Sequence, residues 1–187
     1  MTSLLALWLP TLVSAVFVFI ASSIIHMALG FWHKTDFNPV PDEDKAMDAM
    51  RPFGLPPGDY CMPKPSSMKD VSSPAFEAKM DKGPVMFFTM LPKGQMNMGK
   101  LLGMWFVYLI VVSGFAGYIA ARALPPGANY LSVFRFVGAA AFMCYTMALW
   151  QATIWYSKSL VTTLKASIDG LIFALLTAGT FGWLWPH

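Results

Sequence analysis

The sequence predicts an all-α membrane protein: a four-helix transmembrane bundle with a polar insertion between its first and second helices. Three observations predict it. Residues 4–30, LLALWLPTLVSAVFVFIASSIIHMALG, contain no Asp, Glu, Lys or Arg, and about 20 apolar residues in helical form cross a bilayer core. Hydrophobic residues make up 56% of the 187 and charged residues only 12%, a balance that suits a multi-pass membrane chain. The charge is also confined: nine of the ten acids lie between Asp36 and Asp81, and nine of the thirteen Lys and Arg between Lys34 and Lys100.

The first predicted span occupies residues 1–33. A secretory signal is the competing reading, but it requires a basic n-region, a short apolar core and a small-residue cleavage site. The leading Met1-Thr2-Ser3 carries no side-chain charge, and the apolar run is too long. Pro10 falls in the first turns, where a missing backbone donor costs least. Phe31-Trp32-His33-Lys34 follows as an interfacial anchor of aromatics and a cation.

The insertion, residues 34–99, is rich in Pro and Gly. Asp42-Glu43-Asp44 leads into a short helix, with acids in the first turn where the helix dipole favours them. Ser73-Pro74 opens a second short helix, Ser73 as N-cap and Pro74 at the first helical position. VMFFTML after Gly83-Pro84 is the best strand candidate. It can pair with Asp59–Met62 as a small hairpin, which needs further packing to be stable. Met86, Met90, Met96 and Met98 read as gap-filling or interfacial packing before they read as a binding surface.

Residues 100–187 form a three-helix segment with spans at about 101–121, 130–156 and 164–185. Ser113, Gly117 and Ala121 recur every fourth residue in the second span. Ala166, Gly170, Ala174, Ala178 and Gly182 do so along the fourth, a smooth ridge that lets another helix approach closely. The ridge serves packing within the chain or an interface between subunits. Loop basic residues orient the chain: Lys34, Lys100, Lys158 and Lys165 flank one side and Arg122 and Arg135 the other. Both termini are therefore expected outside and the insertion in the cytoplasm. The net charge of +3 is small and mixed, which argues against nucleic-acid binding. Cys61 and Cys144 lie in unlike surroundings, so no disulfide and no oxidising compartment are implied.

Ionisable groups within spans are costly and functional candidates by default. His26, Gln151 and Asp169 are expected at one level of the inner leaflet, with Lys165 one turn from Asp169. One reading is a proton-coupled or ligand-binding pocket. The other is a structural clamp in which His26 bonds Asp169 and Lys165 reaches the interface. Arg135 stands in the outer leaflet without a predicted acid: snorkelling to lipid phosphate, backbone carbonyls or the His187 carboxylate is the structural expectation, and an anionic ligand or a neighbouring subunit the functional one. His26 and His33 lie on one helix face and cannot be opposite axial ligands of one haem. Neither His33 with Asp36 nor His33 with Asp42 has a recognised metal spacing, and no cofactor or metal is predicted. No nucleophile elbow, phosphate loop, CxxC or HExxH occurs, and no catalytic residue is assigned.

The segments IASSIIHMALGFWHKTDFNPVPDED, GPVMFFTMLP and TAGTFGWLWP resemble a family of small, uncharacterised bacterial integral-membrane proteins with four predicted spans. The resemblance lies in texture over most of the chain. It implies a bacterial cytoplasmic-membrane protein and no activity or site residues. The expected function is a structural or accessory subunit of a homo-oligomer or larger membrane complex, embedded in the lipid bilayer. A small transporter or channel using His26, Gln151 and Asp169, or a lipid- or quinone-binding enzyme, are the other readings.

Overall fold

A computed structural model describes residues 2–187. It contains four helices long and apolar enough to cross a membrane: Leu4–Ala28, Met98–Ala123, Tyr130–Tyr156 and Leu160–Trp183. The protein is thus a multi-pass, all-α membrane protein with one small two-stranded sheet. The chain divides into two compact units, residues 1–38 with 97–187, and residues 39–96.

Side-chain caps set where the spans begin. Asn97 accepts from the Lys100 amide (3.0 Å), Asn129 from the Ser132 amide (2.9 Å) and Ser159 from the Thr162 amide (3.4 Å), each satisfying an otherwise orphaned donor. The Ser159 cap starts the fourth span four residues earlier than residue 164. The stretch 160–163, which lies between the predicted third and fourth spans, is helical from the Ser159 cap onward. Thr163 is buried, with its hydroxyl 2.6 Å from that of Thr153.

Two of the spans contain a widened π turn, Ile24–Ala28 and Met143–Met147. In the first span the cause is local. Ser22 and Ser23 hydroxyls donate back to the Phe19 carbonyl (2.9 and 2.8 Å), and His26 Nδ1 lies 2.9 Å from the Ser22 carbonyl. Side chains that compete for helix carbonyls bend the helix. Leu29 leaves helical geometry, and Gly30–His33 forms one further turn.

The small-residue ridge packs within the chain. A Cβ on Gly170 would overlap Thr146, one on Gly182 would lie 2.7 Å from the Tyr130 ring, and one on Gly138 would lie 3.2 Å from Ala178 Cβ. The third and fourth spans therefore approach at their backbones, as small residues permit. Along the same ridge Ala174 and Ala178 are buried and Ala166 is half-buried. The second span's repeat also faces inward. Ser113 accepts from the Ser14 hydroxyl at 3.0 Å, Gly117 receives the fully buried Phe181 ring, and Ala121 is fully buried.

The insertion unit matches its predicted elements. Helices run over Glu43–Met50 and Pro74–Lys82, and Ser73 Oγ accepts from the Phe76 amide at 3.2 Å. Strand β1 (Gly58–Met62) pairs antiparallel with β2 (Met86–Met90), placing Tyr60 opposite Phe88 with rings stacked at 5.4 Å.

Candidate functional site

Asp169 is buried in the fourth span, 4% exposed, and a carboxylate there requires partners. It has two. Trp32 Nε1–H donates to one oxygen at 3.0 Å, and His33 Nε2 lies 2.9 Å from the other. On its far side His33 Nδ1 lies 2.7 Å from Asp36 Oδ2. Lys165 donates to Asp36 (3.2 Å) and to the Thr35 hydroxyl (3.0 Å). The His26 ring stacks on that of His33, centroids 4.5 Å apart and planes within 10°.

The helix break builds this arrangement. Seven residues of straight helix would separate His26 from His33 by about 10 Å along the axis. The π turn and the irregular Leu29 fold the following turn back, so the two rings meet and His33 faces the fourth span. The site thus joins the first span, the segment that leaves it and the fourth span.

Aromatic side chains line the core beneath. Trp105 donates to Ser22 Oγ at 2.9 Å, stacks on Tyr108 (5.3 Å) and meets Phe173 edge-on (6.2 Å). Tyr145 also packs edge-on against Phe173. Serine 22 is shared by the two groups: its carbonyl holds His26 and its hydroxyl accepts from Trp105.

Electrostatically the cluster carries two carboxylates against one lysine. Asp36 lies outside the spans. Burial pushes its carboxyl up, but the hydrogen bonds and charges of His33 and Lys165 outweigh burial and hold it below its ordinary range. Lys165 also sits 5.8 Å from the Trp32 ring centroid, within the range of cation–π attraction.

Of the predicted pocket, Asp169 and Lys165 join one network, and His26 reaches it through ring stacking. The direct His26–Asp169 bond is replaced by His33–Asp169. Gln151 stands apart and is exposed. It follows the π turn at Met143–Met147. One extra residue in a helix turns everything downstream by about 100°, which takes Gln151 off the face expected for it. Arg135 is exposed on the third span. His33, Asp36 and Trp32 are the members that sequence reasoning left out. The available signal was their crowding around a lone intramembrane Asp once the helix is allowed to break.

No family model, curated protein or solved structure matches this chain.

Proposed function

We propose that the protein is a structural or accessory subunit of a homo-oligomeric or larger complex in a bacterial inner membrane, with both termini outside and the insertion in the cytoplasm. One observation carries this reading: the buried Asp169 and its charged partners gather at one end of the bundle, and the core toward the other end is closely packed. Leu7, Ala116, Ala120, Ala121 and Phe181 there are at most 4% exposed. A transporter or channel needs a polar route through that half, and the close packing of small residues there favours the structural reading over it. The orientation rests on the Lys and Arg that flank the spans.

Native mass spectrometry of the chain extracted from its own membranes in gentle detergent tests the proposal. The expected result is a defined complex with further copies or other subunits. A solitary monomer, or proton or cation flux into proteoliposomes that Asp169→Asn abolishes, would overturn it.

A further inference from the structure

The His26, His33 and Asp169 side chains converge in a way that a structural clamp does not require. One nitrogen of each histidine and one Asp169 oxygen lie within 4.8 Å of one another. We infer that these three groups form a binding site for a first-row transition-metal dication of the zinc or iron(II) class, set at the membrane boundary and independent of the accessory role.

The hydrogen bonds orient the donors. The Ser22 carbonyl can only accept, so His26 keeps its proton on Nδ1 and presents the Nε2 lone pair. Asp36, which also accepts from Lys165, lies behind His33 Nδ1, so a cation taking the place of the proton between His33 Nε2 and Asp169 would meet an imidazole already supported from its far side. A carbonyl behind one ligating imidazole and a carboxylate behind the other are the supports that metal-binding histidines characteristically carry. Trp32 fixes the third ligand by donating to Asp169 Oδ1, which leaves Oδ2 on the His33 side. His33 Nε2 and Asp169 Oδ2, 2.9 Å apart as hydrogen-bond partners, need to part by only about 0.1–0.5 Å to ligate one ion at about 2.1 Å. His26 is exposed on the π turn, so tilting its ring out of the stack closes the third side.

Charge and donor type decide the class of ion. Lys165 is matched by Asp36, which leaves Asp169 as net negative charge for the cation. Two imidazoles with one carboxylate suit zinc, iron, cobalt or nickel, whereas magnesium and calcium call for oxygen donors throughout. Three protein ligands on one side leave coordination positions open beside the exposed His26, where water or an exogenous ligand can bind.

The test uses the full-length chain without a polyhistidine tag, purified in detergent, stripped with chelator and titrated with Co²⁺ and Zn²⁺. The expected result is one tightly bound ion per chain, with Co²⁺ giving visible d–d absorption and Zn²⁺ displacing it. His26→Gln lies at the exposed rim and should fold normally by gel filtration while binding at least tenfold more weakly. Asp36→Asn, a positioning change, should weaken binding by about 10-fold or more. His187→Gln, at the C-terminus, should leave it unchanged. No stoichiometric binding, binding that His26→Gln leaves intact, or a preference for Mg²⁺ would overturn the site.

Discussion

The two ends of the bundle are both tied by hydrogen bonds, but with opposite chemistry. At the terminus end the Thr2 amide and hydroxyl donate to the carbonyls of Ala121 (3.2 Å) and Leu124 (3.1 Å). There too the Gly127 amide donates to Pro186 (2.8 Å) and the Trp185 indole to Pro125 (3.0 Å). Every partner is neutral and every acceptor is backbone. At the other end the ties are His33, Asp36, Lys165 and Asp169, groups whose charge or ligation can change. One end is held by neutral ties to backbone, and the other by charged and ionisable side chains. A chain this small can combine a fixed seal with a sensitive site because the fourth span runs between them.

Substitutions at the two ends should therefore behave differently, and several would sharpen or break the contrast. The largest effect is expected at the seal. Phe181→Ala empties the space beside Gly117 and should cost about 3–5 kcal/mol, read from SDS-driven unfolding in mixed micelles and equal at pH 5 and pH 8. Gly117→Ala comes next: its Cβ would lie 2.6 Å from the Phe181 ring, an overpacking worth about 2–3 kcal/mol in the same measurement. At the sensitive end Asp169→Ala leaves the Trp32 indole and His33 without their acceptor, which should cost about 2 kcal/mol.

The pH dependence is smaller and its sign follows from Asp36. A carboxyl held below its ordinary value contributes stability above its unfolded pKa, about 4, and loses it as pH falls through the folded value. Thermal scans in detergent between pH 6 and pH 3 should show an acid limb that Asp36→Asn flattens. An unchanged limb would remove Asp36 from the account. The smallest effect belongs to Arg135→Gln, an exposed position, expected within about 0.5 kcal/mol of the parent.

The fold was legible because lipid imposes a simple demand. Four largely apolar helices of 24–27 residues leave the chain few alternatives, and the glycine–alanine ridge of the fourth span announces close packing. The insertion's hairpin and caps followed from Gly-Pro, Ser-Pro and the alternating strand. The site was half legible. Asp169, Lys165 and His26 stood out as costly residues in apolar sequence. Their true arrangement depended on two π turns, and no residue pattern marks those as plainly as Pro marks a kink. Counting along a straight helix gives depth correctly but loses azimuth after each extra residue. That is how Gln151 was drawn in, and why His33, Asp36 and Trp32 were missed.

The meeting of His33 with Asp169 is what turns a row of polar residues into a site. A double-mutant cycle with His33→Ala and Asp169→Ala, measured by unfolding in mixed micelles, tests it most directly. Direct contact predicts a coupling energy of about 1 kcal/mol or more. Additivity within about 0.3 kcal/mol would mean that the turn after the first span does not reach the fourth, and would contradict the account.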